Sequence, residues 1–190
     1  MTNRIQPTKE DVRNIFFSGS HAFRSDGELV GKLHFLLTEH YLSCERFTIG
    51  SKEDFFSLCD DTEKVTIRDD ASGGGAGHVA LKLLAERYLN SLGITVYFEH
   101  PFCGYYPDVI SADLQTVVEC GHTNNADKIL IYFTQGHISE LIQIPYPVDD
   151  DTHICGYRFT AHRDLSGFLN AEFEEHKDAI LKIVNRRRNA

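Results

Sequence analysis

The stretch YYPDVISADLQTVVECGH, residues 105–122, constrains the fold most. Two short apolar runs flank a small polar turn, and each run carries a carboxylate, Asp108 in PDVIS and Glu119 in TVVECG. Short runs rich in Val and Ile, bounded by turn residues, read as strands. A turn centred on Asp113 and Leu114 pairs Ala112 with Gln115 and Ile110 with Val117, and continuing that register sets Asp108 opposite Glu119. Facing residues on neighbouring strands lie about 5 Å apart, and like charges there destabilise the sheet. The neighbours Val109, Ile110, Val117 and Val118 imply that both sheet faces are covered. The two acids then need compensation. Either one holds a proton, or a hard divalent cation, Mg²⁺ or Mn²⁺, sits between them. The plainer alternative is that both point to solvent from an open face.

The rest of the chain supplies helices and further strands around this hairpin. Residues 8–17 read as a helix capped by Thr8, 28–42 as a Leu-rich helix interrupted by Gly31, and 51–59 as a helix with a Ser51–Asp54 capping box. Residues 63–69 alternate like a strand. ASGGGAG (71–77) is the clearest breaker and divides a front part, 1–70, from a back part, 71–190. The back part reads as a helix over 78–93 ended by Gly93, a strand over 94–102, the hairpin, and a helix over 122–135 capped by Thr123 or Asn124. Strands over 140–147 and 153–159 and a terminal helix over 171–184 follow. The expected architecture is α/β, with a mixed central sheet flanked by helices. The front part is expected to be a mostly helical extension packed on that core.

A third acid, Glu86, lies in LKLLAERYLN outside the main apolar arc of Leu81, Leu84, Ala85, Tyr88 and Leu92. It forms either a surface pair with Lys82 or part of an acidic cluster beside the hairpin. A helix Glu, a strand, Pro107-Asp108, about ten residues, Glu119-Cys120-Gly121 and a further helix together resemble the PD-(D/E)XK nuclease superfamily over roughly Gly77 to Pro147. The resemblance implies a restriction-endonuclease-like core, one or two Mg²⁺ or Mn²⁺ ions and phosphodiester hydrolysis, with DNA as substrate. It implies that Asp108, Glu119, Glu86 and the Cys120 backbone carbonyl hold the metal. The family's Lys two residues after the second acid is here Gly121. Lys128 in the next helix, or His122, would supply the missing base-supporting group. The helical wheel sets Lys128 opposite Ala126, Ile129, Leu130 and Phe133, where it can also face solvent. A catalytically inactive nucleic-acid-binding or regulatory module with the same fold is the alternative that Gly121 motivates.

Charge and cysteine usage bound these readings. Nineteen basic and 28 acidic residues give a net charge of −9, which argues against a simple electrostatic DNA binder but leaves room for a local basic groove. The five Cys form no CxxC pair, which favours a reducing compartment. No apolar run reaches the roughly 18 residues of a membrane helix, and the start carries no secretory signal. A soluble, cytoplasmic protein without a membrane partner is expected. His100, Cys103, Cys120, His122, His153 and Cys155 offer a zinc alternative without a standard paired spacing. GGGAGH lacks the GK[ST] of a phosphate loop. The basic NRRRN tail, Arg158, His162 and Arg163 are either phosphate contacts or solvated surface. Substrate selection or homodimer formation is the expected role of residues 1–70.

Overall fold

A computed structural model describes residues 3–17, 26–61, 75–123, 126–148, 152–162 and 165–172. Its centre is a seven-stranded sheet in the order β1-β2-β7-β6-β5-β4-β3. The strands are β1 (Asn3–Ile5), β2 (Leu42–Ser51), β3 (Val96–Phe98), β4 (Val109–Ser111), β5 (Thr116–Cys120), β6 (Glu140–Ile144) and β7 (His153–Ala161). Among the described strands only β5 and β6 run parallel. The chain is therefore a mixed α/β protein whose sheet is flanked by helices on both faces.

Strand alternation sends successive side chains to opposite faces. Cys44, Ile110, Val117, Leu141 and Phe159 join one core with α1 (Lys9–Phe17), α2 (Asp26–Thr38), α5 (Ala126–Thr134) and a helix over 165–172. Phe47, Val109, Val118, Ile142 and Ile154 join the other with α3 (Lys52–Asp61) and α4 (Gly75–Ser91). Coverage of both faces is why β4, β5 and β6 are apolar nearly throughout. The caps expected at Thr8 and Ser51 form. Asp11 Oδ2 accepts from the Thr8 backbone N–H at 2.8 Å, and Asp54 Oδ2 accepts from the Ser51 backbone N–H at 3.2 Å. The reciprocal bonds run from the Asp11 and Asp54 backbone N–H groups to Thr8 Oγ1 and Ser51 Oγ.

Several sequence expectations change in extent or kind. The helix expected over 28–42 spans Asp26–Thr38, and β2 starts at Leu42. The described residues of the front part hold three helices and, in addition, two strands. Its ten-residue β2 pairs along β7 and belongs to the same sheet as the back part. The strand expected over 94–102 contracts to Val96–Phe98, and the helix over 78–93 begins earlier, at Gly75. The strand expected over 63–69 and nearly all of the terminal helix over 171–184 fall outside the described residues.

Candidate functional site

The hairpin has the register read from the sequence. Val109 pairs with Val118 and Ile110 with Val117; beyond these pairs the two acids part, Asp108 turning its side chain toward α4 and Glu119 toward α5. Leu114 takes the left-handed φ of 60° that the tight turn requires. Ser111 Oγ donates to Asp113 Oδ1, which also accepts from the Gln115 N–H at 3.0 Å.

Both acids are buried, at 8% exposure for Asp108 and 3% for Glu119, and each is met by cationic or donor groups from a flanking helix. Asp108 faces α4. Its Oδ1 lies 2.9 Å from His78 Nε2 and 3.7 Å from Lys82 Nζ, and its Oδ2 accepts the Cys120 backbone N–H at 2.7 Å. Glu119 faces α5. Its Oε2 takes the Lys128 ammonium at 2.5 Å, and its Oε1 accepts from the Tyr132 hydroxyl at 3.1 Å. Lys128 and Tyr132 stand four residues apart and so share a helix face. Lys82, fully buried, also binds Glu99 at 2.5 Å. Glu99 reaches it with a left-handed φ of 47°, a backbone conformation that costs a non-glycine residue about 1 kcal/mol.

The cluster thus holds three carboxylates, two ammonium groups and one imidazole. Compensation comes from lysines on opposite faces of the sheet, beyond the shared proton or shared cation that the sequence suggested. The two environments push the acids apart. Burial works to raise Asp108, but the His78 hydrogen bond and charge, the Cys120 N–H and Lys82 outweigh it and hold the carboxyl below its usual range. Burial, reinforced by the Asp108 charge, lifts Glu119 to about 7 despite Lys128 and Tyr132. Divergent pairs of this kind divide ionised and proton-holding roles.

The remaining site expectations fall as follows. Lys128 does not face solvent, because its amine turns onto Glu119. Lys82 is not a surface partner of Glu86: it is turned into the cluster. Glu86 stands one turn beyond Lys82 on α4, half-buried. His122 lies exposed with its ring 5.0 Å from that of Tyr146, and partial burial lowers its pKa. Cys120 places its thiol in the α4-side core, where burial raises the thiol pKa well above its ordinary value. Cys155 Sγ instead accepts from an Arg46 guanidinium N–H at 3.2 Å. Among the described residues no group of three His, Cys, Asp or Glu side chains is arranged to hold a metal ion. Also among them, no helix is long and apolar enough to cross a membrane.

Asp108 and Glu119 each carry hard oxygen donors. A carboxylate offers about four lone-pair positions, so each retains capacity beyond its present partners. Carboxylate oxygens are donors that Mg²⁺ takes one or two at a time, with water and phosphate oxygens completing its shell.

A side chain at Gly121 is strained in this fold. Its φ is +71°, and an added Cβ would meet Tyr146 ring carbons at 2.5 and 2.6 Å. Gly121→Ala is expected to cost about 2 kcal/mol through the left-handed backbone and displacement of the ring. Chemical denaturation checks this, and an unchanged midpoint would contradict the packing described. His78, Lys82, Glu99 and Tyr132 escaped the sequence reading. The signals were the His78–Lys82 spacing on the face turned to the hairpin and the Lys128–Tyr132 spacing on α5. Compared with known proteins, the chain matches no family model, no curated protein and no solved structure.

Proposed function

We propose that this chain is a divalent-metal-dependent nuclease acting on DNA, built on the pattern of the PD-(D/E)XK superfamily. One observation carries the reading: two buried carboxylates flank the end of the β4–β5 hairpin, Asp108 on the Cys120 backbone N–H and Glu119 next to Cys120 in the chain, with a lysine amine on Glu119. Asp108, kept ionised by His78 and Lys82, is the permanent anionic ligand for Mg²⁺ or Mn²⁺. Glu119 joins it when deprotonated, and the Cys120 carbonyl and Glu86 complete the proposed set. When bound, the ion supplies a water of lowered pKa and stabilises the leaving oxygen. Lys128 takes the role that Gly121 leaves vacant, holding the attacking water and countering developing negative charge. His122 is the second basic candidate. Cytoplasmic location and a homodimer belong to the same proposal.

A second reading has its own support. Every carboxylate oxygen of the pair already has a protein partner, as expected of a nucleic-acid-binding or regulatory module that has lost catalysis. Incubation with plasmid, linear and branched DNA, and with RNA, in Mg²⁺ or Mn²⁺ separates the two. The nuclease reading expects DNA cleavage that disappears in Asp108→Ala and Lys128→Met. Binding without cleavage under either metal rejects it in favour of the module.

A further inference from the structure

A row of polar side chains leads from the acid pair across the sheet to a cavity of about 710 Å³. Glu119 pairs with Gln143, Gln143 with Tyr157, and Tyr157 with Arg46. All four lie on the α5 side, since each is two residues from a strand residue of that core: Val117, Leu141, Phe159 and Cys44. Three strand spacings separate Glu119 from Arg46, about 14 Å. Gln143 is fully buried. Its Nε2 donates to the Gly121 carbonyl at 2.7 Å, whereas its Oε1 has no hydrogen-bond partner among the described residues. A buried acceptor left unpaired costs free energy, but Gln143 itself does not line the cavity.

The cavity opens at the far end of this row. Arg46, Tyr146, Tyr157, Gln6 and Asn14 line it among apolar neighbours. Tyr146 joins it to the acid site, because an added Cβ at Gly121 would meet the same ring. Arg46 is exposed and, among the described residues, the sole Lys or Arg in the lining. The lining carboxylate, Asp11, is bound to the Thr8 hydroxyl at 2.7 Å in the α1 cap. Aromatic walls, carboxamides and one guanidinium suit a planar heterocycle bearing an anion.

We infer that this cavity binds one nucleotide unit of the nucleic-acid strand, its base against Tyr146 and Tyr157 and its phosphate on Arg46. The inference rests on the nuclease reading for its strand but not for its test. Calorimetric titration with 5′-dAMP, deoxyadenosine and deoxyribose 5-phosphate is expected to show binding of 5′-dAMP, with either fragment weaker by about tenfold or more. Arg46→Ala weakens 5′-dAMP about tenfold, and Arg46→Lys recovers most of it. Arg46 is exposed, so its loss leaves the fold intact, as an unchanged melting temperature confirms. Equal affinity for 5′-dAMP and deoxyribose 5-phosphate, or indifference to Arg46→Ala, overturns the assignment. DNA cleavage without 5′-dAMP binding refutes the subsite and spares the catalytic reading. 5′-dAMP binding that depends on Arg46, without cleavage of any nucleic acid, supports the subsite while the catalytic reading falls.

Discussion

Replacing Lys82 by Met is expected to destabilise the protein by about 3–5 kcal/mol, the usual cost of leaving buried charges without their partner. Lys82 is fully buried and lies between Glu99 at 2.5 Å and Asp108 at 3.7 Å. Met fills a similar volume, so the loss reports charge rather than a cavity. Native domains are stable by only about 5–15 kcal/mol. For a chain of this size the melting temperature should fall by on the order of 10 °C. Adding Glu99→Gln removes one stranded carboxylate and should return part of the loss, a non-additivity expected of residues in contact. Thermal unfolding of the single and double variants tests this. A Lys82→Met protein melting within about 2 °C of the parent would show that the ammonium does not hold the cluster together.

The second large effect is a pH dependence centred on Glu119. Its carboxyl rises from 4.5 in the unfolded chain to about 7 in the fold, chiefly because it is buried. The folded state therefore binds the proton more tightly. Stability from this group is fully present below pH 4.5, declines as pH rises, and is lost above about 7. The change is about 3 kcal/mol. Asp108, held below its ordinary value of 3.8, acts in the opposite sense and in a lower window, losing its contribution only as pH falls below that value. His122, lowered by partial burial, also opposes Glu119, losing stability as pH drops through 6.5. A difference between parent and Glu119→Gln cancels both. Denaturant titrations from pH 4.5 to 8 should show the variant gaining on the parent by up to about 3 kcal/mol as pH rises. A flat difference would mean that Glu119 is ionised throughout, with Lys128 outweighing burial.

Helix ends show why some elements were legible and others were not. At the end of α4 the N–H groups of Gly93 and Ile94 reach the carbonyls of Asn90 and Leu89, and Gly93 has φ +78°. At the end of α2 the same pattern joins His40 to Leu37 and Tyr41 to Leu36, with His40 at φ +61°. The backbone solution is identical, but only glycine announces it. The Leu-rich run was therefore read through to Leu42, concealing β2. That strand was further obscured because exposed and half-buried residues interrupt its buried side. The hairpin register was legible because apolar strands around a tight turn admit one pairing that keeps both faces covered.

The same division runs through the candidate site. Local sequence determined where Asp108 and Glu119 stand, since strand period and turn geometry act over a dozen residues. It determined the caps at Thr8 and Ser51 for the same reason. What surrounds the two acids was decided only in three dimensions. Helical periodicity makes Lys82 and Lys128 exposed residues, because it weighs each helix against a single apolar face. In the fold, α4 and α5 close over opposite faces of the sheet, and each turns a lysine toward a buried carboxylate. A charge buried among charges leaves no mark on hydrophobic period. Its partners are chosen by tertiary proximity, at sequence separations of 9 for Glu119 with Lys128 and 17 for Lys82 with Glu99.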